Sequence, residues 1–201
     1  MGEPRQVGTH VAMLRKVSTP KRASYADLVA LPDNQVGEIV EGTLYASPRP
    51  AGRHALASSA LGGELSGPLQ FGRGGPGGWW ILDEPELHLN EEVLVPDLAG
   101  WRRERMPEVP DEPFFTLVPD WVCEVLSPST AKLDLALKLP RYAASGVAYA
   151  WVVNPATRAL EVFELRNGEP VLVAAFAGDE PVRAEPFKEV ELNLSLLWGA
   201  P

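Results

Sequence analysis

The chain predicts an α/β fold, a sandwich with a central mixed sheet and additional β-hairpins, on three observations. Helix-like and strand-like stretches follow one another in the order α–β–β–β–α–β around two acidic residues. Those acids sit in two short strand-like segments, Val93–Asp97 and Val122–Leu126, each holding one carboxylate among β-branched and apolar residues. With 201 residues, 45% of them hydrophobic, the chain is long enough for one domain with a substantial core, and it contains no internal repeat.

The elements can be justified in order. Residues 1–20 carry Arg15 and Lys16 but no sustained apolar pattern, and read as a flexible basic arm ahead of a single domain over 21–201. Their apolar run, Val11–Leu14, is too short for a secretory signal. Ser24 can cap a short helix from Tyr25 to about Leu31, which Pro32–Asp33 ends. Glu38–Val40 and Thr43–Ser47 form a hairpin turning at Glu41–Gly42. Leu56, Ala60, Leu61 and Leu65 keep helical spacing from Arg53 to about Leu69. The glycine-rich stretch from Phe71 to Gly78 lacks the Lys-Ser/Thr ending of a phosphate-binding loop and reads as a connector.

Trp79–Leu82 and Glu86–Leu89 are strands, the second pairing with Glu92–Leu98 through Asn90–Glu91. A proline-rich acidic loop covers 107–120, ordered by Phe114–Phe115. Ser127–Pro128–Ser129–Thr130 starts a helix that runs to about Ala144 and stops at Gly146. Pro140 falls inside it, which predicts a kink or a broken last turn. Ala148–Asn154, Leu160–Leu165 and Val171–Phe176 complete the sheet, with a turn at Arg166–Glu169, and Leu192–Trp198 tucks in the C-terminus.

Composition bounds the rest. A single cysteine, Cys123, excludes an intrachain disulfide framework and suits a reducing cytoplasm. Strand alternation turns Cys123 away from Glu124, so it reads as a buried structural thiol. No apolar run exceeds that of Val147–Val153, far short of the roughly 20 residues a membrane span needs, so no membrane is expected as a partner. A formal net charge of −9 argues against a protein that coats nucleic acid nonspecifically.

Burying Asp97 or Glu124 alone costs several kcal/mol unless a partner, a proton or a cation compensates. Two such acids converging from adjacent strands could seat a hard divalent cation, and separately they could cap turns or pair with arginines at a wet edge. Glu38, His54 and Glu86 are candidate accessory groups, each with an equally ordinary structural reading. The helix end at His54 favours a neutral imidazole. Glu86 and His88 share one strand face. Trp101–Arg102–Arg103–Glu104–Arg105 is the candidate nucleic-acid contact. Its other reading is a loop whose Trp packs down while Arg102, Arg103 and Arg105 pair with acids.

These pieces, in this order, resemble the PD-(D/E)XK nucleases, and within them the Uma family of restriction endonucleases. The likeness runs through Tyr25–Leu28, Glu38–Gly42, Ser47–Pro48 with His54, Val95–Leu98, Glu124–Thr130, Asp134 with Lys138 and Tyr142, and Gly146–Pro155. It implies a restriction-endonuclease-like fold and a Mg²⁺-dependent (Mn²⁺ also suitable) endonuclease acting on nucleic acid, DNA foremost. Asp97, Glu124 and the Val125 carbonyl would hold the metal, with Lys138 acting on the attacking water. Two departures stand out. The family's usual Tyr before the first Glu is Gly37, and the lysine position two residues after Glu124 is Leu126, so that Lys138 on the next helix is the natural replacement. A plain surface pair of Lys138 with Asp134 is the competing reading. At the level of function, a nuclease fold that binds nucleic acid or protein without turnover is the rival. A structural cation site and a homo-oligomer also stay open.

Overall fold

The computed structural model describes residues 15–17, 21–48 and 52–199. Its first half holds β1 (Arg15–Val17), α1 (Tyr25–Val29), β2 (Gln35–Val40), β3 (Thr43–Pro48) and α2 (Arg53–Leu65). Then come β4 (Trp79–Asp83), β5 (Leu87–Leu89), β6 (Glu92–Leu94), β7 (Leu98–Arg102) and β8 (Trp121–Val125). The second half holds α3 (Ala131–Leu133), α4 (Leu139–Ser145), β9 (Tyr149–Asn154), β10 (Ala159–Arg166) and β11 (Glu169–Ala177), and closes with β12 (Pro181–Val182), β13 (Leu192–Asn193) and α5 (Leu194–Leu197). Of the predicted N-terminal arm, Arg15–Val17 pairs antiparallel with β3, and the remainder up to residue 20 lies outside the described residues.

A six-stranded sheet in the order β11-β10-β9-β8-β7-β4 forms the centre. It is mixed, because β8 and β9 run parallel while their neighbours are antiparallel. A second sheet, β1-β3-β2-β6-β5, is built from hairpins. Glu41 and Gly42 make the β2–β3 turn at φ 53° and 69°, the left-handed backbone that a tight hairpin requires.

The alternation of β8 divides the core. Trp121, Cys123 and Val125 face α2, α5 and the C-terminal segment, where Phe187 lies edge-on to Trp79, Trp121 and Trp151 at 4.9–5.4 Å. Val122 faces the other way, toward Tyr142 and Leu139 of α4 and toward Leu87 and Leu94 of the second sheet. Among the described residues no helix is long and apolar enough to cross a membrane.

Two predicted elements are corrected. The strand expected over Glu92–Leu98 ends at Leu94, and a new one starts at Leu98 in the other sheet. Pro96 has no N–H to continue a ladder, so the chain changes sheets across Val95–Pro96–Asp97. The helix expected to kink at Pro140 instead widens ahead of it, into a π-helical turn over Asp134–Lys138 between α3 and α4. The Leu139 N–H reaches back to the Asp134 carbonyl, and Pro140 falls in the first turn of α4, where a missing N–H is tolerated.

Candidate active site

The change of sheets places Asp97 where the two sheets meet. Leu98 pairs with Cys123 in the β7–β8 register, so Asp97 stands opposite Glu124. The side chain of Asp97 extends the ladder in place of backbone: its Oδ2 accepts the Val125 N–H at 2.7 Å. From the α2 side, His54 Nε2 lies 3.1 Å from Asp97 Oδ1, and His54 Nδ1 is buried without a partner among the described residues. Burial works to lower the pKa of His54, but the carboxylate of Asp97 overrides it and the net direction is upward. The contact with Asp97 works against the neutral imidazole that the helix end alone favours.

Lys138 is the centre of the other half of the site. Its Nζ lies 2.8 Å from Glu38 Oε1, 2.9 Å from Glu124 Oε1 and 3.8 Å from Asp134 Oδ1, and it donates to the Val95 carbonyl at 3.0 Å. Tyr142 adds its hydroxyl to Glu124 Oε1 at 2.6 Å, while Glu38 Oε1 accepts the Val95 N–H at 2.8 Å. Lys138 is 2% exposed and Glu124, Asp134 and Glu38 are 4–5% exposed, so this is no surface pair. The π turn helps explain how three helical residues share one direction. Positions four apart drift by about 40° around a regular α-helix, and the extra residue of a π turn takes up that drift between Asp134 and Tyr142.

Electrostatics follow from burial and crowding. Burial, with Asp134, Asp97 and Glu38 nearby, raises the pKa of Glu124 well above its ordinary value despite the opposing pull of Lys138. Burial likewise lifts Asp134 to about 6. Burial disfavours the charged form of Lys138, but Glu124 and Glu38 outweigh it and the pKa rises, which keeps the ammonium charged. One ammonium thus faces three buried carboxylates, with Asp97 close by.

The remaining expected residues are placed as follows. Glu86 is engaged elsewhere, 2.7 Å from His88 and accepting from Tyr25 at 2.9 Å, beside the stacked Phe114. Trp101 and Arg102 belong to β7 itself, so Arg102 lies five residues from Asp97, roughly 17 Å along an extended strand. Arg102 sits over the Trp79 ring, Arg103 over Trp80 with a bond to the Gln70 carbonyl, and Arg105 pairs with Asp120 at 2.8 Å. The structure therefore brings Asp97, Glu124, Val125, Glu38, His54 and Lys138 together, and leaves Glu86 and the three arginines apart. Asp134 and Tyr142 join the cluster without having been assigned a part in it. Their signal was a polar residue at every fourth position, 134, 138 and 142, with Leu133, Leu135, Leu137 and Leu139 around them.

The oxygens expected to hold a metal, the carboxylates of Asp97 and Glu124 and the carbonyl of Val125, are hard donors. Among the described residues no group of three or more His, Cys, Asp or Glu side chains is arranged to hold a metal ion. Mg²⁺ does not need one, since it is commonly held by one or two carboxylates with waters and substrate phosphate. Both contacts to Glu124 fall on Oε1, so Oε2 is the oxygen that can turn to a cation. On the α2 side, a pocket of about 290 Å³ between Ser58, Ser66, Asp83 and Leu98 borders the start of β7.

Comparison with known proteins agrees with this fold. A crystal structure of a putative nuclease belonging to DUF820 from Anabaena variabilis ATCC 29413 aligns at a TM-score of 0.71. It covers 88% of this chain and 97% of that one, at 20% identity, and so speaks for the fold. No curated protein matches the chain. The Uma2 family, described as "Putative restriction endonuclease", matches residues 24–196, from the cap of α1 to the last helix and across every residue of the site. On that match, the chain belongs to the Uma2 family of putative restriction endonucleases.

Proposed function

We propose that the protein is a Mg²⁺-dependent endonuclease that hydrolyses phosphodiester bonds of nucleic acid. The observation that carries this reading is the charge imbalance at the site. Lys138 alone opposes Glu38, Glu124 and Asp134 in the interior, and Asp97 adds a fourth acid at the sheet junction. Unpaired buried carboxylates are costly, so such a cluster favours either protons or a divalent cation. Asp97 and Glu124 would hold the cation, with the Val125 carbonyl, and Mn²⁺ would substitute for Mg²⁺. The chemistry a bound Mg²⁺ supplies is polarisation of the scissile phosphate and a lowered pKa for the attacking water.

The chain's own groups set the remaining roles. Lys138 stays charged, so it serves as a positioning donor and an electrostatic stabiliser for the phosphoryl oxygens rather than as a base. Tyr142 holds Glu124 in place through its hydroxyl. His54 fixes the second oxygen of Asp97.

The test is calorimetric titration of Mg²⁺ and Mn²⁺ into wild type, Asp97→Asn and Glu124→Gln, followed by cleavage assays on single- and double-stranded DNA and RNA. Wild type should bind metal and cleave, and both variants should lose both properties. Metal binding without cleavage of any of these substrates would instead mark a module that kept the fold and lost turnover.

A further inference from the structure

The sheet topology gathers a second set of groups at the same end as the acids. β8 and β9 are parallel, with Glu124 beside Val152 and Val125 beside Val153, so Asn154 and Pro155 emerge next to the site. The chain then turns through Arg158, at φ 52°, into β10. α2 begins at the same end, since His54 in its first turn reaches Asp97. Between these parts lies a pocket of about 90 Å³ lined by Arg53, Leu56, Pro155, Arg158, Leu197 and Trp198. Buried Pro155 and Leu197 line it beside Trp198, whose indole N–H is anchored on the Gly178 carbonyl at 2.9 Å.

Size and charge select the ligand. The pocket is open to solvent and has room for a phosphate group. Two guanidiniums from different elements suit a phosphate, because each offers a planar fork of donors. Arg158 has a neighbour in Asp179, but at 3.5 Å and with both side chains more than half exposed the pair is weak and open to exchange. The pocket lies at the same end of the sheet as the acids, against α2 and α5.

We infer that Arg53 and Arg158 form a phosphate subsite that grips the nucleic-acid backbone beside the scissile bond, in place of the Arg102–Arg105 run at the far end of β7. This rests on the endonuclease reading. The experiment measures binding of fluorescent single- and double-stranded oligonucleotides in EDTA, across a salt series, for wild type, Arg53→Ala, Arg158→Ala, Arg158→Lys and Arg102→Ala. Melting curves check that these surface variants fold. Arg53→Ala and Arg158→Ala should each weaken binding several-fold and lower the slope of log K against log salt by about 0.7–0.9. Arg158→Lys should keep most of the slope, and Arg102→Ala should match wild type. Unchanged affinity and slope in the two alanine variants, beside a wild type that binds and cleaves, would overturn the subsite and leave the endonuclease standing. An equal loss in Arg102→Ala would overturn it too. No oligonucleotide binding by wild type, in EDTA or with Mg²⁺, would sink both readings, whereas competition by free inorganic phosphate alone, with none by oligonucleotide, would make the pocket a small-anion site.

Discussion

Lys138 and Asp134 show how one residue's environment decides its role. On a surface, losing their i,i+4 pair would cost a few tenths of a kcal/mol. Inside the protein, Lys138→Met strips the ammonium from Glu38 and Glu124, and breaking a buried pair in this way costs about 3–5 kcal/mol. Urea unfolding in metal-free buffer should show that loss, and a change below about 0.5 kcal/mol would return Lys138 to a solvated role. Asp134 gives the matching pH dependence. Its proton is held up to about 6 in the folded chain against an ordinary value of 3.8, so folding takes up a proton between those limits. The fold then loses stability as pH rises through that window, by up to about 3 kcal/mol. Asp134→Asn should abolish this term, so the variant should gain on wild type between pH 4 and pH 7. A constant gap in urea midpoints across that range would mean that Lys138 keeps Asp134 ionised throughout.

At the scale of elements, Gly37 has a packing explanation that spacing alone could not give. A Cβ on it would lie 2.6 Å from Leu31 Cδ1 and 2.9 Å from Leu28 Cγ, so Leu28 of α1 and Leu31 just after it sit where a side chain would stand. Gly37→Ala should therefore destabilise by about 1–3 kcal/mol through overpacking, readable as a lowered urea midpoint; an unchanged midpoint would mean that α1 shifts freely. The elements themselves were legible because their periodicities are local: the β2–β3 turn, the start of α2, and the strands β9 to β11 lie within a residue or two of their expected places, although α2 gives way to a π turn at Ser66. What escaped were features set by tertiary contact. The change of sheets at Pro96 and the π turn before Pro140 both show proline displacing an element rather than merely bending it. The arginine run was misplaced for a related reason. A strand continuing through Trp101 carries Arg102 away from Asp97, whereas a loop would have let it fold back.

Across the whole molecule, the site is held by the most protected part of the sheet. All five residues of β8 are buried, with Glu124 turned to the acid cluster and Cys123 to the aromatic core on the opposite face. The pairing of Asp97 with Glu124 and the reach of Lys138 were expected from the family resemblance, while the burial of Cys123 could be read from strand alternation. The His54–Asp97 contact could not, because it joins two layers with no shared periodicity. A strand flanked by β7 and β9 and covered on both faces should open only when the whole domain does. Cys123 reports on this directly: it is fully buried, and burial, with Asp97 and Glu124 near, raises its pKa well above the ordinary value. With a thiol reagent in excess, Cys123 should stay unmodified in native buffer and react at the rate of global unfolding as urea is added. Its labelling curve should overlay the unfolding curve seen by tryptophan fluorescence. Labelling at low urea, ahead of that transition, would show β8 separating from its neighbours locally, and the acid pair could not then be a rigid seat for a cation.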